Sequence, residues 1–214
     1  MKYLNGYKIF ENKAEIDSLC HGYGINRYTI GSDGLVNVDG DVLLSYLRFA
    51  KLPIKFGLVT GDFSCPNNRM ISLEGCPDKV VGTFRCFDND VTSLSGAPSE
   101  VGGDFIFHNN KLTSLEGCSN KIGGFLNCRN NKITNLEGCP KLGAYFNFDN
   151  NPIYYIIDKF IGRPNKNELV ELFNDADIIR GNEIIWDRLV WFFDEIEEEL
   201  PDFLYAGKYY KIIR

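Results

Sequence analysis

The sequence predicts an α/β solenoid: a parallel β-sheet wound from short coils, with a different kind of segment closing each end. Three observations predict it. Asparagines recur at Asn68, Asn89, Asn110 and Asn131, a step of 21, and Asn151 follows after 20. An apolar series, Phe63, Phe84, Phe105, Leu126 and Phe146, keeps the same step, and Cys65, Cys86, Phe107, Cys128 and Phe148 follow it two residues later. Leu73, Leu94, Leu115, Leu136 and Ile156 keep it again, as do Gly75, Gly96, Gly117 and Gly138. The one-residue shortening falls near Pro140. A fixed period of this kind marks a repeat architecture, in which each unit buries its apolar face only against its neighbours.

Each part of the unit has a physical reason. The aromatic and the Cys or Phe two residues later point the same way in an extended chain, so this frame reads as a short strand. Successive coils then lay these strands side by side. The Asn follows the strand where the chain turns inward. Its short amide both donates and accepts, so it can pair with backbone groups of its own and the next coil. Left unpaired, such buried groups cost roughly 1–3 kcal/mol each. The recurring glycines, with the pairs Gly102–Gly103 and Gly123–Gly124, suit tight or positive-φ corners. Met70, Val91, Leu112, Ile133 and Ile153 fill a slot two residues after each Asn, interchangeable as core filling requires. The expected solenoid has about five or six right-handed coils.

A period of 20 to 29 with this Leu and Asn pattern is that of a leucine-rich repeat. The motif resembles the short bacterial type found in secreted effectors. It is closer still to a group of small repeat proteins encoded by tailed bacteriophages. The residues that carry the resemblance are Gly103-Asp104-Phe105, Asn109 to Gly117 and the exit Asn150-Asn151-Pro152-Ile153-Tyr154, with Tyr28-Thr29-Ile30, Asp33-Gly34, Val38 to Val42 and Leu52-Pro53 before the repeats. It covers nearly the whole chain. It implies a fold and a bacterial setting, with no shared activity, because one fold hosts many roles.

A solenoid needs its apolar ends covered. Residues 1–41 read as the N-terminal cap, 42–151 as the repeats and 152–214 as a helical C-terminal cap, one cooperative unit. Glu11 to His21 is predicted helical, with Ile16, Leu19 and Cys20 on one side. Arg27 to Ile30 and Leu35 to Val38 flank Gly31-Ser32-Asp33-Gly34 as a hairpin. Val42 and Leu44 open a degenerate first coil. In the C-terminal cap, Ile153 to Ile161 and Lys166 to Phe173 read as short helices. Glu183 to Leu200 reads as a longer one, with the stripe Ile185, Leu189, Phe192, Ile196 and Leu200 and a stop at Pro201. Lys208 to Ile213 suits a closing strand.

Composition narrows the classes of function. The chain has 214 residues, 44% hydrophobic and 24% charged, with a net charge of −6. That is globular, and its sign argues against nonspecific nucleic-acid binding. No apolar run is long enough to span a membrane, and Met1 to Phe10 lacks a signal-peptide core, so a cytoplasmic location is expected. The cap 152–214 carries 8 basic and 13 acidic side chains, notably Asp194, Glu195, Glu197, Glu198, Glu199 and Asp202. Such a run reads as a solvated helix face or as an acidic docking surface.

Chemistry is sparse. Cys65, Cys86 and Cys128 share a register with Phe107, and Cys76, Cys118 and Cys139 share one with Ala97, so both read as core slots. There is no C-x-x-C pair, and the two histidines, His21 and His108, are far apart, which disfavours zinc. Parallel side-chain vectors disfavour a Cys65–Cys86 disulfide. Gly22-Tyr23-Gly24 lacks the third glycine of a dinucleotide loop, and no phosphate-binding loop is present. The expectation is a protein without catalysis, cofactor or metal.

The informative positions are those that do not repeat. Three outward columns flank the inward frame: Asp62, Thr83, Asp104, Phe125 and Tyr145; Ser64, Arg85, Ile106, Asn127 and Asn147; Pro66, Phe87, His108, Arg129 and Asp149. Members of the resembling group often carry Ser in the third column, from which Phe87, His108 and Arg129 depart. Together Arg85, Phe87, Ile106, His108, Phe125, Arg129 and Tyr145 would line a concave face with the composition of interface hot spots. Five strands at about 4.8 Å make it roughly 19 Å wide, enough for about 800 Å² per partner with its flanks. The expected function is protein binding, with a bacterial host protein implied by the resemblance. The alternatives are a small anionic ligand on Arg85, His108 and Arg129, or a structural role in the virion. Trp186, Val190, Trp191 and Phe193 form a second candidate surface, for packing within the cap, a partner or a homodimer.

Overall fold

The computed structural model describes residues 3–4, 7–8, 13–141, 145–201 and 207–214. Asp202 and most of Met1 to Phe10 lie outside the described residues. Two strands, β1 (Tyr3–Leu4) and β2 (Tyr7–Lys8), pair antiparallel. Helix α1 (Lys13–Gly22) buries Ile16 and Cys20. Hairpin strands β3 (Tyr28–Ile30) and β4 (Val36–Val38) pair antiparallel, and the Asp33 carboxylate accepts from the Leu35 N–H at 3.0 Å to close the turn between them. This much of the N-terminal cap follows the sequence.

From there the chain winds, alternating between two sheets: β5 (Val42–Leu43), β6 (Phe56–Val59), β7 (Phe63–Ser64), β8 (Lys79–Val80), β9 (Phe84–Arg85), β10 (Glu100–Val101), β11 (Phe105–Ile106), β12 (Lys121–Ile122), β13 (Leu126–Asn127) and β14 (Phe146–Asn147). One six-stranded sheet has the order β14-β13-β11-β9-β7-β5, and all its pairings are parallel. Phe63, Phe84, Phe105, Leu126 and Phe146 face one another across it in register. The second sheet, β12-β10-β8-β6-β4-β3, was not legible in the sequence. Its parallel strands are two residues long for β8, β10 and β12, too short for any alternation to show. The molecule is therefore a β-solenoid of about five turns with a repeat of about 21 residues, flattened between two parallel sheets.

Between the sheets the core is continuous and aromatic. Phe63 stacks on Phe84 at 5.5 Å and 5°, and Phe84 on Phe105 at 5.7 Å and 21°. Phe107, in the cysteine register, stacks on both Phe84 and Phe105. Cys65, Cys86 and Cys128 are fully buried in that register. All seven cysteines carry free thiols. Burial pushes the Cys118 and Cys139 thiols up to about 12 and holds Cys128 well above its ordinary value. These are packing residues, and the raised thiols of Cys118, Cys128 and Cys139 stay protonated at physiological pH.

The asparagine column turns the corner. The Asn110 Nδ2 donates to the carbonyls of Cys86 at 2.9 Å and Phe107 at 3.1 Å, and its Oδ1 accepts from the Val91 N–H at 3.0 Å. Asn89, Asn131 and Asn151 repeat the pattern. The bridge thus runs to the preceding coil, not the next one.

The C-terminal cap departs further from its expected outline. Helices α2 (Tyr154–Ile157) and α3 (Lys166–Asp175) match in place. Glu183 to Leu200 is not one helix. Strand β16 (Glu183–Ile185) pairs antiparallel with β15 (Ile179–Arg180) and parallel with β17 (Lys211–Ile213), and only then does α4 (Trp186–Glu195) begin. Three consecutive residues, Glu183-Ile184-Ile185, find strand partners, and tertiary pairing overrides the helical stripe. The helix ends at Glu195, short of Pro201, where Glu197 turns the chain at φ 54°. Leu200 is consequently exposed and not part of the stripe. Phe160, Phe173 and Phe192 form the cap's aromatic core at centroid distances of 5.2–5.6 Å. The cap meets the last coils through Tyr210, whose hydroxyl donates to the Thr134 carbonyl at 2.7 Å, and Asn174, whose amide donates to the Leu136 carbonyl at 3.2 Å.

Candidate functional site

The outward face of the β5–β14 sheet is where the non-repeating residues gather. Strand pairing sets Arg85 beside Ile106 and Ile106 beside Asn127, one strand spacing apart. Two residues on, the Phe87 and His108 rings stack at 4.6 Å and 15°. Arg129 continues that column and is exposed; Tyr145 is 73% exposed at the far edge. Arg85, Phe87, Ile106, His108 and Phe125 are half-buried. Their rings and stems lie against neighbours about 4.8 Å away, so each hides part of the next. The face is closed toward the first coils, where Ser64 and Pro66 are buried.

Electrostatics divide the predicted residues. Arg85 is committed: its guanidinium lies 2.6 Å from the Asp62 carboxylate. Asp62 is held below the usual carboxylate range, where the Arg85 pair and the Thr83 N–H outweigh the opposing effect of burial. The predicted trio of Arg85, His108 and Arg129 is therefore not three available charges. The His108 ring is held below its ordinary value, first by burial and then by the Arg129 charge. Its Nδ1 is buried with no hydrogen-bond partner among the described residues. The ring is thus a neutral, flat surface joined to that of Phe87.

The first outward column is structural. The Asp62 Oδ1 accepts from the Thr83 N–H, the Thr83 Oγ1 from the Asp104 N–H and the Asp104 Oδ1 from the Phe125 N–H, each link spanning one coil. Asp41 starts the series on the Asp62 N–H. Each side chain fills the space of a missing Cβ in the following coil. A Cβ on Gly82 would lie 2.4 Å from the Asp62 Oδ1, and one on Gly124 would lie 2.2 Å from the Asp104 Oδ1. Only Phe125 and Tyr145 of this column remain for contact. The signal was present, since Asp41, Asp62 and Asp104 keep the repeat step.

A second ladder was also missed. Asn67, Asp88, Asn109, Asn130 and Asn150 all have φ between 53° and 57°. Asn and Asp tolerate this left-handed region better than other side chains. The Asn109 amide donates to Asp88, that of Asn130 to Asn109 and that of Asn150 to Asn130, at 2.6–2.7 Å. The recurring doublets, such as Asn109-Asn110, are its signature.

The second predicted surface is split. Phe193 is buried, Trp186 and Val190 are half-buried and Trp191 is 47% exposed. Only Trp191 presents a large open face. Among the described residues no group of three His, Cys, Asp or Glu side chains is placed to hold a metal ion, and no helix is long and apolar enough to cross a membrane. The fold and face define a capped parallel β-solenoid with a mixed aromatic and cationic outer sheet. No family model matches the chain, and no match is found among curated proteins or solved structures.

Proposed function

We propose that this protein is a non-catalytic interaction module whose outward β5–β14 sheet grips another protein. The observation that carries this is the Phe87–His108 stack with Arg129 beside it, the third column of a sheet whose first column is largely committed to a backbone ladder. Aromatic rings and arginine on a rigid sheet lose little entropy on binding and supply hot-spot energy. The partner in this reading is a bacterial host protein, an antiviral defence component among the candidates, inhibited by occlusion. The resemblance to phage-encoded leucine-rich repeat proteins supports that setting. The small-anion reading is weakened, because Arg85 is paired with Asp62. The experiment is capture from bacterial lysate by the wild-type chain and by the Phe87→Ala, Arg129→Ala double variant. Loss of the captured band with the variant is expected. Equal capture by both overturns the assignment of this face.

A further inference from the structure

A cationic ridge borders the same face. The residues directly after Asn68, Asn89, Asn110 and Asn131 are Arg69, Asp90, Lys111 and Lys132, and Arg48 lies one repeat step before Arg69. Backbone N–H groups of Arg69, Asp90, Lys111 and Lys132 donate to the preceding coil, which keeps these four in line. Arg48, Arg69, Lys111 and Lys132 are exposed. Lys111 pairs with Asp90 at 2.7 Å. Arg48, Arg69 and Lys132, like Arg129, have no ion pair among the described residues. This line runs against the sign of a chain with net charge −6.

The complementary surface lies on the same molecule. Asp187, Trp191, Asp194 and Glu195 fall at i, i+4, i+7 and i+8 of α4, so they share one helix face. All four are exposed, and the three carboxylates pair with no cation among the described residues. An aromatic ring is thus flanked by carboxylates, facing solvent. The β5–β14 sheet offers the converse, aromatic rings flanked by unpaired cations.

We infer that a second copy of this chain docks the outward face of α4 on the β5–β14 sheet and its cationic ridge. The two patches differ, so each contact joins unlike surfaces head to tail, and it closes as a reciprocal pair or a ring or extends into open chains. The inference rests on the reading of the β5–β14 sheet as a binding face, and it makes the chain a competitor for its own partner site. Opposite charges across the contact steer and align it, and salt weakens it.

Light scattering on the full chain tests this. Mean mass is expected to rise with protein concentration at about 0.01 M ionic strength and to return to the monomer near 1 M, where charges beyond roughly 3 Å are screened. Arg69→Glu with Lys132→Glu, and separately Asp194→Lys with Glu195→Lys, should each weaken self-association at least about tenfold. Mixing the two variants should restore a complex, since the reversed charges again match. All four positions are exposed, and an unchanged circular dichroism spectrum confirms the fold. A wild-type chain that stays monomeric at low salt overturns the inference, as does a mixture that fails to associate. A ridge variant that loses acidic-peptide or single-stranded nucleic-acid binding while the wild type stays monomeric assigns the ridge elsewhere and also overturns it. Should self-association be absent while Phe87→Ala with Arg129→Ala still abolishes lysate capture, only the head-to-tail contact falls. Should that double variant capture normally, the binding face falls with it.

Discussion

At the scale of single residues, the coil is held by three polar columns: the inward asparagines and the Asp62, Thr83 and Asp104 ladder satisfy backbone groups of a neighbouring coil, and the left-handed Asn and Asp residues bond side chain to side chain from coil to coil. Their couplings are measurable. Gly124→Ala forces a Cβ to within 2.2 Å of the Asp104 Oδ1, so it should destabilise the fold by about 2 kcal/mol. With Asp104→Ala already in place the carboxylate clash is gone and only the backbone contacts with Gly103 C at 2.9 Å and Asp104 N at 3.0 Å remain, so the double variant should lose less than the sum of the singles. Urea denaturation of the four species closes this cycle. His108 makes a second prediction. Its folded pKa is depressed, so the stability its neutral ring contributes is complete above its ordinary value of 6.5 and is lost as pH falls through the lower folded value. His108→Gln should therefore flatten the decline of Tm with acidification in that window, as read by scanning calorimetry. The asparagine bridge was legible in the sequence, because Asn68, Asn89, Asn110 and Asn131 are spaced by one coil. That the bridge reaches backward was not, since sequence spacing carries no direction. The Asp41, Asp62 and Asp104 ladder was overlooked because an outward position looks free when only inward patterning is followed.

At the scale of elements, the inward strand frame, α1 and the β3–β4 hairpin were readable from periodicity and turn chemistry. The second sheet was not, because strands of two residues have no period to read. Lys79, Glu100 and Lys121 lie in register on its outer side, and Lys79 pairs with Glu100 at 2.9 Å. Such a surface pair adds little, so backbone pairing defines these strands. The start of α4 was misplaced for a related reason: the partner of Ile184 is Ile212, 28 residues on, which no local pattern reveals. Phe192, fully buried against Phe160 and Phe173, is the keystone of the cap. Phe192→Ala should cost about 3–5 kcal/mol. Hydrogen exchange should then rise first in α3 and α4, while the asparagine-bridged coils keep their protection.

At the scale of the whole molecule, a stiff two-sheet solenoid closed by dissimilar caps presents one outer sheet whose third column holds Phe87, His108 and Arg129 outside the backbone ladders. The fold was legible because the repeat writes it several times over. The candidate face was legible only in outline: Phe87, His108, Arg129 and Tyr145 remain available, while Arg85 is paired with Asp62 and Asp62, Thr83 and Asp104 brace the coils. The central claim is that this face touches another protein. Hydrogen–deuterium exchange of the chain with and without its captured partner tests that claim most directly. New protection is predicted at residues 84–87, 105–108 and 126–129, with 79–81 and 100–102 on the opposite sheet unchanged; protection confined to that opposite sheet or to the cap would contradict it.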